Sequence, residues 1–172
     1  KGSELNTDDP RRKYKYRVVF KGDQTKDQNL QAAVFQDMGS APASMVASKM
    51  ADCYGSMKGR KVMQADAQQA YVQSELGGPP TYVCIPKYAW PKHWHNKELG
   101  LGDKVACRLF KALYGHPDAG TCWEEHSNDH LLKIGWEPIS GWSSCYWHEN
   151  RKLMLIVYVD DFKMAGPEEH ME

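Results

Sequence analysis

Short apolar runs separated by polar turns set the pattern of this chain. Each run is rich in β-branched or aromatic residues and ends at glycine, proline or a polar cluster, which is typical of strands. The runs predict strands at 14–22, 61–66, 81–86, 105–110, 145–148 and 152–159. Another apolar run follows Asp161 at once, so the last strand is expected to turn back as a hairpin with Asp160 and Asp161 at its turn.

Helical spacing occurs in three segments, at 41–56, 67–75 and 121–134. In the first, Met45, Met50, Ala51 and Tyr54 recur at helical intervals, Ser40 is an expected N-cap, and the methionines are expected to fill the core. The third ends at Gly135, a typical residue for stopping a helix. Together these elements predict an α+β fold, with an antiparallel sheet backed by two main helices.

Two segments lack a regular pattern. Residues 1–13 are polar and are expected to be a poorly ordered N-terminal segment. Residues 87–104 are expected to be a long irregular loop, in which Trp90, His93, Trp94 and His95 indicate either buried indoles or a metal-binding or stacking platform.

Composition narrows the function classes. At 172 residues the chain fits one domain, or one domain with an incomplete neighbour. Five cysteines without a CxxC pair argue against both a disulfide framework and a zinc module. The longest apolar run is far short of a membrane span and no leader pattern opens the chain, so an intracellular setting without membrane contact is expected.

Charge is uneven along the chain although its sum is zero. Residues 1–61 carry 12 basic against 7 acidic side chains, and residues 62–172 carry 10 against 15. Lys15, Arg17 and Lys21 have the same parity within the first predicted strand and are expected to share one face. Such a face either contacts a triphosphate or is a solvated edge guarded by cations.

Three carboxylates stand at predicted strand ends. Asp160 and Asp161 are adjacent, and two like charges at one turn are stable mainly when they share a cation, although an ordinary surface hairpin is the alternative. Asp66 ends the strand predicted at 61–66. If these two strands are neighbours, the three side chains converge, and oxygen ligands of this kind hold two Mg²⁺ ions about 3.5–4 Å apart for in-line phosphoryl transfer. The sequence has no GxSxG, Walker or HExxH motif that would indicate other chemistry.

Several motifs, in this order and spacing, resemble one family. They are Tyr16-Arg17-Val18-Val19-Phe20-Lys21-Gly22, Asp66-Ala67-Gln68-Gln69-Ala70-Tyr71, the stretch 105–115 ending in Leu113-Tyr114-Gly115, the helix from Trp123 to Trp136, and Tyr158-Val159-Asp160-Asp161. The chain resembles the reverse transcriptase of copia-type long-terminal-repeat retrotransposons over most of residues 14–166. It departs from the family pattern at His116-Pro117-Asp118, where relatives carry a Leu-Lys-Gln-like run, and at Gln68-Gln69.

The resemblance implies an RNA-directed DNA polymerase fragment of the right-hand type. Residues 14–60 would be a partial fingers region and 61–172 a truncated palm with a ferredoxin-like core, without a thumb. The implied partners are an RNA or DNA template with its primer, deoxynucleoside triphosphates and other domains of a parent polyprotein, in a cytoplasmic particle or the nucleus.

The resemblance also implies site roles. Asp66, Asp160 and Asp161 would be the catalytic residues and the ligands of two Mg²⁺ ions, or of Mn²⁺. The nucleotide would be bound by Ala67, Tyr71, Arg17 and Lys21, with Tyr71 excluding a 2′-hydroxyl. Two alternatives remain, namely a non-catalytic palm-fold remnant that binds nucleic acid or protein, and an unrelated ferredoxin-like domain whose acids are incidental.

Overall fold

The computed structural model describes residue 9 and residues 17–35, 41–96, 98 and 100–171. Its helices and strands within these ranges are α1 (Met45–Gly55), β1 (Arg60–Asp66), α2 (Ala70–Gln73), β2 (Tyr82–Ile85), β3 (Val105–Arg108), α3 (Ala119–Lys133), β4 (Glu137–Pro138), β5 (Cys145–His148), β6 (Leu153–Tyr158) and β7 (Asp161–Pro167). Short 3₁₀ helices lie at Gly22–Gln24, Lys87–Ala89, Lys92–His95 and Glu168–His170.

Five strands form one antiparallel sheet in the order β1-β7-β6-β5-β4. Strands β2 and β3 pair separately as an antiparallel two-stranded ribbon. The predicted α+β class is therefore confirmed. The strands predicted at 61–66, 81–86, 105–110, 145–148 and 152–159 are also present, with bounds shifted by a few residues, and the helix predicted at 121–134 is α3.

Strand β6 separates two cores because its side chains alternate between the faces of the sheet. Met154 and Ile156 pack on the face that α1 covers. Leu153, Leu155 and Val157 pack on the opposite face, together with residues that include Leu131 of α3. Both faces of β6 are therefore buried, which explains its continuous apolar sequence.

Helix α1 lies close to the sheet through a stripe of small residues. Ala47, Ala51 and Gly55 recur every four residues and are buried. A methyl group added at Gly55 would lie 2.3 Å from Cγ2 of Val62 on β1, so only glycine fits this approach. The close contact fixes α1 against the strand that carries Asp66.

The expectation that the methionines of this helix fill the core is wrong. Met45 is 73% exposed and Met50 is 47% exposed, because the small-residue stripe occupies the buried side instead. The N-cap is Ser44, whose Oγ accepts a hydrogen bond from the Ala47 amide at 3.2 Å. Ser40, the expected cap, lies outside the described residues.

The predicted strand at 14–22 is also wrong in its described part. Residues 17–21 form no strand, and Gly22 begins a 3₁₀ helix; residues 14–16, with Lys15, lie outside the described residues. One backbone hydrogen bond, from the Phe20 amide to the Tyr114 carbonyl at 2.6 Å, joins this segment to the loop before α3. This one hydrogen bond joins the two segments where they cross, whereas paired strands would be joined by a ladder of such bonds.

Three further expectations concern the helix predicted at 67–75, the N-terminal segment and membrane contact. The helix predicted at 67–75 is reduced to the single turn of α2, because Gln69 has a left-handed backbone with φ 55°. The N-terminal segment 1–13 lies outside the described residues except for residue 9. Within the described ranges, no helix has the length and apolar character needed to cross a lipid bilayer.

Candidate functional site

The turn between β6 and β7 consists of Val159 and Asp160. The last strand pair is Tyr158 with Asp161, so Asp161 is the first residue of β7. The expectation that Asp161 lies in the turn is therefore wrong. Val159 has φ 56°, a left-handed conformation that is strained for a β-branched residue. Such strain costs about 1–3 kcal/mol and persists only where surrounding contacts hold it, as is common at functional sites.

Trp123 of α3 holds this turn in place. Its indole Nε1–H donates a hydrogen bond to the Val159 carbonyl at 2.6 Å, and the side chain is 6% exposed. The Asp160 carbonyl is bound in the same way by the backbone, accepting from the Ala67 amide at 2.7 Å. The strained turn is therefore fixed from both sides, by α3 and by the residue after β1.

Asp66 and Asp161 are direct cross-strand neighbours. They form the last pair of the β1–β7 ladder, so their side chains emerge on the same face of the sheet. Directly opposite residues in an antiparallel pair have Cβ atoms about 4.5–5.5 Å apart. The condition that the sequence left open, that the strand ending at Asp66 lies beside the hairpin, is met.

Both carboxylates line a cavity of about 580 Å³ between the sheet and the N-terminal end of α1. Lys163 lines it too, but its ammonium group is bound to Asp52 at 2.9 Å and Ser48 at 2.8 Å on α1. Within the part of the chain that the structure describes, neither Asp66 nor Asp161 has an ion pair. Two unpaired carboxylates with hard oxygen donors thus face one open space.

The donor chemistry of this pair fits a hard divalent cation such as Mg²⁺, which prefers carboxylate oxygen ligands. Asp160 lies in the turn and is not among the residues that line this cavity. Among the described residues, no group of three or more His, Cys, Asp or Glu side chains is placed to hold a metal ion. The pair Asp66 and Asp161 is therefore the part of the predicted triad that fits a metal in this arrangement.

A second group of predicted residues meets through Tyr114. The rings of Tyr71 and Tyr114 are in edge contact with centroids 4.7 Å apart, and the Arg17 guanidinium lies 4.5 Å from the centre of the Tyr114 ring. Burial raises the pKa of Tyr71 above its ordinary value of 10.0, the charge of Asp160 raises it further, and Arg17 acts in the opposite direction. Tyr71 also lines one small space together with Val159, so it lies beside the hairpin turn.

The remaining two predicted residues differ in position. Ala67 is joined to the hairpin by its amide, as described, and therefore belongs to the carboxylate group. Lys21 contributes its carbonyl to the amide of Gln24 at 3.1 Å. Its ammonium group has no hydrogen-bond or ion-pair partner among the described residues.

Two glycines allow the segment containing Arg17 to cross the loop containing Tyr114. A methyl group at Gly115, where φ is 88°, would lie 2.2 Å from the Phe20 carbonyl oxygen. A methyl group at Gly22 would lie 2.5 Å from the Gly115 carbonyl oxygen. Only glycine permits both approaches, and through them Arg17 reaches Tyr114.

His116 is a buried residue that links the loop before α3 to Thr81. In the sequence it is visible only as a departure from the family pattern. Its Nδ1 accepts a hydrogen bond from the Asp118 amide at 3.2 Å, so in the neutral ring Nε2 carries the proton and donates to Thr81 Oγ1 at 3.1 Å. The ring also contacts Phe20 and Phe35, at centroid distances of 5.1 and 5.4 Å. Burial lowers the pKa of His116 below 6.5, although Asp118 acts in the opposite direction.

Trp123 is the residue whose role the sequence did not indicate. Its apolar position on α3 predicts core packing, and nothing local signals a hydrogen bond to a carbonyl 36 residues away. The His116 side chain is only 5% exposed, although the residue lies in the loop between β3 and α3.

Comparison with known proteins identifies relatives of this chain. A family model described as reverse transcriptase (RNA-dependent DNA polymerase) matches residues 4–171. The Transposon Ty1-MR1 Gag-Pol polyprotein of Saccharomyces cerevisiae is 31% identical over 101 residues, which cover 58% of this chain and 5% of that protein. The Truncated transposon Ty1-A Gag-Pol polyprotein of the same organism is 30% identical over 101 residues, covering 58% of this chain and 7% of that protein.

The chain thus spans a small fraction of the length of these curated relatives. No solved structure matches it. The family match extends over nearly all of the chain and includes β1, the β6–β7 hairpin and the Tyr114 loop that build the site. The resemblance to copia-type enzymes is confirmed, and the chain belongs to the reverse transcriptase (RNA-dependent DNA polymerase) family.

Proposed function

We propose that this chain carries the nucleotidyl-transfer site of an RNA-directed DNA polymerase of the right-hand type, which adds deoxynucleotides to a primer 3′ end. The observation that carries the proposal is the β1–β7 register, which pairs Asp66 with Asp161 on one face of the sheet. An unrelated fold with incidental acids has no reason to place two carboxylates opposite each other, because that arrangement is destabilising unless the charge is used.

In this proposal Asp66 and Asp161 would hold the divalent cation, with Asp160, next to Asp161 in sequence, as the third carboxylate. Two bound Mg²⁺ ions would supply charge neutralisation for the triphosphate and for the attacking 3′-oxygen. The protein contributes position, since the hairpin turn is fixed by Trp123 and Ala67. No side-chain nucleophile is required for this chemistry.

Tyr71 would lie under the sugar of the incoming nucleotide and exclude a 2′-hydroxyl. Its edge contact with Tyr114 fixes the ring, and Arg17 above Tyr114 is available to a triphosphate. Lys21 would be the second cation that contacts the triphosphate. The division into a fingers-like region at 14–60 and a palm-like region with a ferredoxin-like core at 61–172 stays a prediction.

The test is primer extension on an RNA template with the Asp160→Asn and Asp161→Asn variants. Each is expected to lose at least about 100-fold in extension rate, because a carboxylate that would hold the metal ions is removed, and with it the charge neutralisation that those ions supply. Asp103→Asn is the matched control, since that exposed carboxylate pairs with Lys87 outside the site and should leave extension unchanged.

Thermal unfolding of the same proteins separates a catalytic from a folding defect. Without Mg²⁺, Asp161→Asn is expected to be at least as stable as the parent, because the repulsion with Asp66 is relieved. With Mg²⁺, only proteins that retain the carboxylate pair should gain stability. Equal extension by Asp160→Asn, Asp161→Asn and the control would refute the assigned roles.

A non-catalytic remnant that binds nucleic acid or protein is the second candidate. It is favoured by the position of Asp160 outside the residues that line the cavity, and by the absence of a cluster of three metal-ligating side chains among the described residues. On this alternative, the parent protein shows no extension, and Mg²⁺ gives it no more stability than it gives Asp161→Asn.

A further inference from the structure

The β2–β3 ribbon exposes one face with an unusual set of side chains. Burial alternates along both strands, so that residues of even number point outward and those of odd number inward. The ribbon face is defined here by the outward residues Tyr82, Cys84, Ala106, Arg108 and Phe110. Tyr82 is 60% exposed and Phe110 is 70% exposed, which is high for two neighbouring aromatic residues.

Tyr82, Arg108 and Phe110 are adjacent on this face. Tyr82 pairs directly with Arg108 across the ribbon, and the Arg108 guanidinium lies 5.2 Å from the centre of the Phe110 ring. The ribbon face contains no acidic residue, and Arg108 has no ion pair within the described ranges. Two exposed rings thus flank a planar cation whose charge is not neutralised.

This combination matches single-stranded nucleic acid better than a protein surface. Every base has a π-face that stacks on an aromatic ring, and a guanidinium both stacks and binds phosphate through paired hydrogen bonds. A protein partner covering the same face would have to supply a carboxylate for Arg108 while packing against two rings. A nucleic acid supplies both the flat surface and the anion from one repeating unit.

The ribbon also leads directly to the proposed nucleotide pocket. The Phe110 carbonyl accepts a hydrogen bond from the Leu76 amide at 2.9 Å, and the Ala112 amide donates to the Ser74 carbonyl at 3.1 Å. Two residues further on, Tyr114 contacts Tyr71. A nucleic acid strand that leaves the pocket would therefore reach the ribbon face, because hydrogen-bonded backbone joins the ribbon to the pocket.

We propose that the ribbon face binds a single-stranded segment of the nucleic acid substrate, with bases stacked on Tyr82 and Phe110 and a phosphate bound by Arg108. This inference rests on the proposed function, since it assumes that the chain works on nucleic acid. It adds a contact region outside the carboxylate site, with a role in affinity and not in chemistry.

The test is fluorescence anisotropy of a labelled 20-nucleotide oligothymidylate, and of the matching oligouridylate, with the complete protein. Phe110→Ala is expected to weaken binding about 5- to 150-fold, the range for loss of one stacked base. Arg108→Ala is expected to weaken it and also to reduce the slope of log affinity against log salt by about 1. A blunt duplex competitor should displace the oligonucleotide poorly.

Controls remove the same groups elsewhere. Tyr88→Ala deletes a 91% exposed ring outside the ribbon face, and Arg151→Ala deletes an exposed cation beyond it, so neither should change affinity. All of these side chains are exposed, so unfolding is not expected, and equal thermal melting points check this.

Outcomes separate this inference from the proposed function. Asp160→Asn should abolish extension and keep oligonucleotide affinity. Phe110→Ala should lower oligonucleotide affinity and keep the extension rate at saturating substrate. If Phe110→Ala and Arg108→Ala bind like their controls, the ribbon-face proposal is overturned while the polymerase proposal stands. Loss with Arg108→Ala alone overturns the stacking role, and a changed oligomeric state without loss of affinity assigns the face to a protein partner.

Discussion

Replacing Trp123 by phenylalanine tests how the fold holds its hairpin turn. The change keeps an aromatic ring in the core and removes one indole N–H, which donates to the Val159 carbonyl at 2.6 Å. Trp123, Val159 and Tyr71 border a small space of about 20 Å³, which has room for at most one water molecule. After the substitution, at most one water molecule is therefore available to bind the carbonyl in place of the indole.

The magnitude follows from that lost bond. Loss of a hydrogen bond to a half-buried carbonyl costs about 0.5–1.5 kcal/mol. For a protein of this size each kcal/mol lowers the melting temperature by about 2–4 °C, so a decrease of roughly 1–6 °C is expected. Val159 also loses the contact that stabilises its strained backbone at φ 56°, so the turn carrying Asp160 is expected to relax. Because a displacement of about 1 Å near the chemistry costs on the order of 100-fold in rate, extension should fall more than stability explains.

Trp90→Phe provides the matched control. Trp90 is 7% exposed and donates to the Ile85 carbonyl at 2.8 Å, so the same substitution breaks the same kind of bond far along the chain from the hairpin. Both variants should lose similar stability in urea or thermal unfolding, and only Trp123→Phe should lose primer extension measured well below its melting temperature. An extension rate for Trp123→Phe equal to that of Trp90→Phe would refute the reasoning.

Two further predictions concern Tyr71 and His116. Tyr71→Ala should raise ribonucleotide incorporation relative to deoxyribonucleotide incorporation by roughly tenfold or more, whereas Tyr71→Phe should keep the discrimination because the ring bulk remains; equal ratios in single-nucleotide extension would contradict the gate. Burial lowers the pKa of His116 below 6.5, so as the pH falls through 6.5 the unfolded chain binds the proton first and stability is lost, by at most about 1.4 kcal/mol per pH unit from this group. Urea unfolding at pH 7.5 and pH 5.5 should show a smaller difference for His116→Gln than for the parent, and an equal difference would contradict this assignment.

Much of the secondary structure follows from local pattern. The apolar run from Leu153 to Val157 is buried on both faces of the sheet and has strong strand preference, so it can be predicted without tertiary information. Helix α1 shows the opposite case. Its apolar methionines indicated one face, but its small residues pack against the sheet, because the distance between the two elements is set by tertiary packing and not by hydrophobicity.

The candidate site divides in the same way. The sequence alone determined that Asp66 ends a strand, that Asp160 and Asp161 follow a strand and precede another, and that Tyr71 and Tyr114 belong to motifs of the reverse transcriptase family. Trp123 and His116 act through partners 36 and 35 residues away, so only the folded chain reveals them.

The tertiary structure decided which acid faces Asp66. Asp160 and Asp161 are adjacent in sequence, but Asp160 lies in the turn and Asp161 is the first residue of β7. Only the register of β1 against β7 places Asp161, and not Asp160, opposite Asp66. A slip of one residue would turn every side chain of β7 to the other face of the sheet. The apolar residues of β7 that pack in the two cores prevent such a slip. The carboxylates are thus a property of the sequence, and their pairing is a property of the packed sheet.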